Sequence, residues 1–364
     1  MKLPRYIALV LILSACSLHS DIKAQQFDHD AATQYLDSLF EAGTLNGSIL
    51  VAQKGEVLLQ RQYGWAQCAT KDPLQLNSSF RLASISKQFT AMCIMILQEQ
   101  GKLEFDDPIT RFFPELPYKN VTLRHLMTHI SGMPDYVFLF NMTWDPTEPV
   151  EQKKTAYNQD VVDFLAKEKP DLLFNPGAKW EYSNTAYVLL ASIVSKVSDL
   201  TIHEFLAKHI FEPLEMNESA AFNPDEDFGI SHRVYGFYGD SCEANDWNFL
   251  NGMVGDGGIY ASPGDLHKWD RALYTEKLVS SETLQQAFQP TELTDGTVEK
   301  YGFGWGVHVA PDGKKWVGHS GGWVGFSTHI ERCLDDESVV IILTNNSGDV
   351  THHILRYLAK AISR

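Results

Sequence analysis

An α+β fold is predicted for this chain of 364 residues, and three observations predict it. Strand-like runs lie near both ends, helical patterns fill the middle, and the last strand-like runs follow one another closely. Strands joined by short connections pair antiparallel. The two ends are therefore expected to share one lobe built on an antiparallel sheet, with an all-α lobe inserted between them.

Each element has its own signal. Residues 31–41 read as a helix. Residues 48–52 and 56–60 read as strands of a hairpin that turns at Lys54-Gly55, where glycine supplies the turn. Residues 84–100 hold a long, mostly apolar run without Gly or Pro, and Gly101 ends it. Thr122 is placed to N-cap a helix over 123–129. Further helical patterns cover 159–167, 185–197, 202–210, 265–274 and 281–288. Strands follow over 301–309, 323–330 and 338–344, and 352–363 closes as an amphipathic helix.

A formal charge of −16 argues against nucleic acid or an anionic membrane surface as a partner, since either would repel the chain. Residues 1–15 read as an export signal: Lys2 and Arg5, an apolar core over 6–13, then Leu13-Ser14-Ala15-Cys16. That core is far shorter than the roughly 20 residues of a spanning helix. A small-residue run ending in Cys resembles a bacterial lipoprotein cleavage box, in which Cys16 carries the lipid and becomes the new N-terminus. The alternative is an ordinary signal peptide cut later, near Ala24. With Cys16 lipidated, 16–26 form a polar tether and 27–364 a two-lobed domain at the periplasmic face or cell envelope. Cys68, Cys93, Cys242 and Cys333 show no small-scaffold spacing, so no disulfide is claimed. Cys93, inside the apolar run, is expected to be a buried free thiol.

The residues that carry chemistry fall in three places. Ser84-Ile85-Ser86-Lys87 sets a hydroxyl and an amine three residues apart at the mouth of the apolar helix. Helical spacing puts both on one face, where the Lys87 amine can help take the Ser84 proton. Tyr182-Ser183-Asn184 follows the Pro176-Gly177 turn and precedes an apolar run, so its polar side chains stand where a loop enters a helix. Gly318-His319-Ser320-Gly321-Gly322 lies between a short strand-like piece at 315–317 and the strand over 323–330.

In this order the three elements resemble the serine β-lactamase and penicillin-binding-protein superfamily. They are most similar to its class C branch, which also holds D-alanyl-D-alanine carboxypeptidases, D-aminopeptidases and a group of esterases. Two longer matches add to the resemblance: 126–136, which includes Leu126-Met127-Thr128-His129, and 255–266, which opens with Gly255-Asp256-Gly257-Gly258. The resemblance runs from about Leu45 to the C-terminus. It implies a central antiparallel sheet flanked by helices, an all-α lobe, and the site between them. It also implies that Ser84 is the acylated nucleophile, Lys87 its proton partner, Tyr182 the general acid/base and Asn184 a ligand for the substrate amide. The backbone N–H groups of Ser84 and Gly322 would form the oxyanion hole.

His319-Ser320-Gly321 sits where many relatives carry Lys-Thr-Gly. His319 is then either a cation for substrate carboxylates when protonated or only a hydrogen-bonding group at the sheet edge. The implied substrate is a small molecule or peptide with an amide or ester carbonyl: a β-lactam, a D-amino-acid peptide or an ester. No metal or organic cofactor is implied. The second reading is a penicillin-recognising sensor that acylates without turnover, against which the presence of Ser84, Lys87, Tyr182 and Asn184 together speaks.

Two rival chemistries are weaker. Gly318-His319-Ser320-Gly321-Gly322 also matches the G-x-S-x-G nucleophile elbow, with Asp335 or Asp349 and His352 or His353 in the required order. An elbow needs a helix after its serine, whereas the residues after Ser320 read as a turn and then a strand. His125 and His129 have metal-ligand spacing, but Leu126 stands where zinc peptidases place an acid. They read as histidines satisfied by backbone groups near the cleft. Trp65, Trp180, Trp247, Trp305 and Trp323 could wall a substrate site, with core and rim packing the default for most.

Overall fold

The computed structural model describes residues 27–362 except 144–154, 227, 240 and 349. The export segment and Cys16 lie outside these residues, as does Asp349. The chain begins with α1 (His29–Glu41), β1 (Gly47–Gln53), β2 (Glu56–Tyr63), β3 (Phe80–Arg81) and α2 (Ser86–Glu99). The helical lobe follows as α3 (Leu123–Met127), α4 (Tyr136–Thr143), α5 (Asn158–Glu168), α6 (Asn184–Ser198) and α7 (Ile202–Leu206). Then come β4 (Ala220–Ala221), β5 (Ile259–Ala261), α8 (Pro263–Ala272) and α9 (Ser281–Ala287). The chain closes with β6 (Gly306–Val309), β7 (Lys315–Trp323), β8 (Phe326–Cys333), β9 (Ser338–Thr344) and α10 (Thr351–Ile362).

One six-stranded antiparallel sheet, ordered β6-β7-β8-β9-β1-β2, carries the first lobe. The two ends of the chain meet where β1 pairs β9, from Gly47 opposite Thr344 to Gln53 opposite Ser338. Every residue of β9 is buried, because helices cover both faces of the sheet. Val340 and Ile342 pack with Leu36 of α1 and Ile354 and Leu358 of α10, while Val339, Ile341 and Leu343 join the larger core shared with α2 and α6. In the helical lobe α6 buries nine residues. At about 1.5–3 kcal/mol for each large apolar side chain, this one helix supplies much of that lobe's cohesion. A small sheet ordered β3-β5-β4 carries the chain into α2.

The structure shifts some predicted boundaries for identifiable reasons. The strand expected over 301–309 survives only as β6, since Gly304 turns with φ of +77°. A Cβ on that glycine would lie 2.8 Å from the Lys87 carbonyl oxygen, so the chain bends around the start of α2. The short piece at 315–317 is the beginning of β7, which continues through the whole Gly318–Gly322 motif, and the turn falls later, at Val324-Gly325. The helix over 202–210 ends as α at Leu206 and goes on as a π turn over Ala207–Phe211. Cys93 is a buried free thiol, but Cys68 and Cys242 form a disulfide that sequence reasoning had not claimed.

Candidate active site

Ser84 lies in a single 3-10 turn, Ala83–Ile85, that feeds directly into α2. Ala83 has φ of +50°, a conformation that costs a non-glycine residue roughly 1–3 kcal/mol and persists only when its surroundings impose it. Two contacts brace this turn. Thr328 of β8 donates its hydroxyl to the Leu82 carbonyl at 2.7 Å, and the Ile259 N–H donates to Ser86 Oγ at 3.2 Å.

Lys87 is fully buried, and a buried ammonium is tolerable only when its donors are satisfied. Its Nζ donates to Ser84 Oγ at 3.1 Å, to Asn184 Oδ1 at 2.8 Å and to the Asp256 carbonyl oxygen at 2.8 Å. It also lies 4.7 Å from the centre of the Tyr182 ring. The loop over 255–258 therefore helps to hold Lys87. Thr90 of α2 donates to the Gly255 carbonyl at 2.8 Å, which sets the next carbonyl, that of Asp256, on Lys87. Gly255 has φ of +122°, and a Cβ there would meet Ala191 Cβ at 2.5 Å, so only glycine lets the loop approach α6. The Asp256 carboxylate accepts from the Tyr136 hydroxyl at 2.9 Å. Burial raises its pKa against the opposing pull of Lys87.

Tyr182 is placed by His129, whose ring lies 4.3 Å away, centre to centre. His129 is itself buried, and the Ser183 N–H donates to its Nδ1 at 3.2 Å. Burial first, then Lys87, push its pKa well below the usual imidazole value, so it is a neutral shelf. His125 accepts the Thr122 N–H on Nδ1 at 3.2 Å, completing the cap of α3. Asn184 is the first residue of α6, N-capped by Ser183. Its Oδ1 serves Lys87, while its Nδ2 and backbone N–H both donate to Asp135 Oδ2, at 2.9 and 2.7 Å. One Nδ2 hydrogen remains for a ligand. His129 and Asp135 lie within 126–136 and Asp256 within 255–266, and their place in those stretches is the one sequence signal of their positioning roles.

Strand β7 forms the opposite wall. His319 Nδ1 lies 2.6 Å from the Ser320 carbonyl oxygen, and Nε2 lies 2.9 Å from the Tyr301 hydroxyl. The neutral tautomer satisfies both, donating from Nδ1 and accepting at Nε2. Burial and then Lys87 push the His319 pKa down to about 3. The geometry thus favours the hydrogen-bonding reading of His319 over the cationic one. Gly321 packs against the nucleophile turn, and a Cβ there would lie 2.2 Å from the Leu82 carbonyl oxygen. Gly322 is open, with nothing within 4 Å of such a Cβ. Ser320 lies inside a strand with no helix after it, which removes the context of a nucleophile elbow.

Two depressions meet at Tyr182. A cavity of about 230 Å³ holds Ser84, Asn184, Gly322 and Trp323 with Arg81. A second depression holds His319, Ser320, Tyr301 and Trp180. Trp305 is buried, and Trp65 and Trp247 are exposed, so of the five only Trp180 and Trp323 border these surfaces. The arrangement joins the Ser84 hydroxyl, the Lys87 ammonium and the Tyr182 phenol around one small space.

Known proteins share this fold. Residues 27–363 match the Beta-lactamase family. The chain is 38% identical over 338 residues to Penicillin-binding protein 4* of Bacillus subtilis (strain 168), covering 88% of this chain and 73% of that protein. It is 27% identical to the D-aminopeptidase of Brucella anthropi, covering 83% of this chain and 56% of that one. Among solved structures, the octameric penicillin-binding protein homologue from Pyrococcus abyssi matches with a TM-score of 0.78 and 26% identity over 92% of this chain and 77% of that one. The D-amino acid amidase from Ochrobactrum anthropi SV3 shares the fold, with a TM-score of 0.76 and 24% identity over 92% of this chain and 98% of that one.

Proposed function

Because this chain belongs to the beta-lactamase family, we propose that it is a serine hydrolase that opens amide or ester carbonyls through an acyl-enzyme on Ser84. One observation carries the reading: Lys87 Nζ spends two of its donors on Asn184 and the Asp256 carbonyl and turns the third to Ser84 Oγ at 3.1 Å. Ser84 Oγ attacks the carbonyl carbon as its proton passes to the Tyr182 oxygen, which acts as the phenolate, while the Lys87 ammonium holds the charge at Ser84 Oγ. The resulting oxyanion lies between the N–H groups of Ser84 and Gly322. Tyr182 protonates the leaving group, and water activated by the same residues releases the acid. Asn184 and the β7 residues His319, Ser320 and Gly321 border the bound substrate. Relatives named penicillin-binding protein and D-aminopeptidase make β-lactams and D-amino-acid peptides the substrates to try beside simple esters.

The test is to offer the purified protein a chromogenic cephalosporin, a D-Ala-D-Ala peptide and a short-chain nitrophenyl ester, following turnover and intact mass. Ser84→Ala should abolish both turnover and adduct, and Ser320→Ala should leave an adduct. Tyr182→Phe should lower turnover by roughly 10²–10⁴-fold, the usual scale of general acid–base help. An adduct mapped to Ser320 would sink the reading, and one that forms on Ser84 and never leaves would identify the sensor instead.

The N-terminal residues support export with a lipid on Cys16, and the Cys68–Cys242 bridge suits an oxidising compartment. On this reading the wild-type protein partitions with membranes and labels with fatty acid, while Cys16→Ser does neither. A soluble wild-type protein beginning near Gln25 would point to the ordinary signal peptide.

A further inference from the structure

Arg81 stands three residues before Ser84, at the end of β3, and is 3% exposed. Its guanidinium carbon lies 5.2 Å from the centre of the Phe222 ring and 6.0 Å from that of Tyr260. Nε and Nη1 are buried with no hydrogen-bond partner, and the side chain forms no ion pair among the described residues. Its neighbour Arg233 shows the contrast. Arg233 packs on the same two rings, at 5.1 and 5.5 Å, yet it pairs with Asp246 at 2.5 Å. A buried cation without a counter-ion is costly, and ring faces compensate only in part.

The acids nearby form no hydrogen bond with it. Asp135 accepts from Asn184 through Oδ2 and from the Val137 N–H through Oδ1, at 2.8 Å. Asp256 accepts from Tyr136 through Oδ2, and its Oδ1 forms no hydrogen bond with Arg81 or any other group among the described residues. Arg81 nonetheless lines the same 230 Å³ cavity as Ser84 and Gly322, with Val137, Leu250 and Met253 as its apolar walls. If Tyr182 protonates the leaving group, that group departs toward the depression holding His319 and Ser320. The acyl group then stays with Ser84 in the cavity, which has room for about one amino-acid-sized unit.

We propose that Arg81 selects the acyl side of the substrate by pairing with an anion there, so that the preferred acyl donor is a small unit ending in a carboxylate. The inference rests on the acyl-enzyme reading above. A free carboxylate entering the cavity supplies the missing counter-ion, and charge-assisted pairs of this kind are the strong class of hydrogen bond.

Two esters of the same shape test it: the mono-4-nitrophenyl ester of glutaric acid, which ends in a carboxylate, and its carboxamide counterpart. Wild type should favour the carboxylate by about 10–100-fold in kcat/KM, the span expected when a charged hydrogen bond is made or lost. Arg81→Met should erase that preference, and Arg81→Lys should restore part of it. Glutaramate, which carries one carboxylate, should also raise the Tm of wild type more than the neutral diamide glutaramide does, a measurement that needs neither turnover nor a folded variant. Equal kcat/KM for the two esters in wild type, or a preference that persists in folded Arg81→Met, overturns the proposal. So does an equal Tm shift by glutaramate and glutaramide. If ester turnover survives in Ser84→Ala, the acyl-enzyme reading has failed. Equal rates that vanish in Ser84→Ala refute the role of Arg81 alone.

Discussion

His319 carries no charge near neutral pH, because burial and the Lys87 ammonium both oppose its protonation. With a pKa of about 3, against roughly 6.5 for a free imidazole, it stays neutral between pH 5 and 8. KM values for carboxylate-bearing and neutral substrates should therefore follow the same pH profile over that range. His319→Lys places a permanent cation there and should lower KM for the charged substrates only. Wild-type profiles that diverge below pH 7 would show that His319 titrates. The same shift has a stability sign. Between about pH 6.5 and 3 the unfolded chain binds a proton at this position that the folded chain refuses, so folding is favoured above that window and loses the contribution as pH falls through it. His129 shifts in the same direction. Thermal midpoints measured at pH 7 and pH 5 should differ less in His319→Gln than in wild type. The Ser84–Lys87 pair was legible in the sequence because its geometry is local to one helix start. The charge state of His319 was not, since desolvation belongs to the packed neighbourhood and not to the residue type.

Strand β7 shows how an element can carry a function that its composition hides. Gly321-Gly322 reads as a turn, because glycine favours positions other chains cannot adopt. Packing requires the first of them for a different reason: β7 runs directly against the Leu82 carbonyl and Thr328 Oγ1, 2.2 and 2.4 Å from where a Cβ on Gly321 would stand. Gly321→Ala should push the strand from the nucleophile turn, lower the Tm at a cost of about 1–3 kcal/mol, and reduce turnover by moving the Gly322 N–H off the oxyanion. Gly322→Ala meets no atom within 4 Å and should keep the wild-type Tm. Equal Tm losses in the two variants would refute this account of the strand. Of the helix caps, that of α3 at Thr122 was legible in the sequence. Thr122, Ser183 and Ser262 each accept an N–H in the first turn of α3, α6 and α8, and a cap acts on its own sequence neighbours.

At the scale of the whole molecule, the Cys68–Cys242 bridge links residues 174 apart in sequence. Closing so long a loop restricts the unfolded chain, an effect typically of about 2–4 kcal/mol. Cys68→Ser combined with Cys242→Ser should lower the Tm, and a reductant should lower wild type toward the same value while leaving the double variant unchanged. A wild-type Tm indifferent to reduction would show that the bridge adds nothing. By itself the sequence determined the fold class, the capped start of α3, the hairpin of β1 and β2 and the serine–lysine pair, because each follows from periodicity, capping or spacing between near neighbours. Only the tertiary structure decided which acceptors hold Lys87, since Asn184 and Asp256 lie 97 and 169 residues away. It also decided the disulfide partner and left Arg81 without an ion pair among the described residues. These depend on which distant segments share a dry interior, and no short stretch of chain specifies its own solvent exposure.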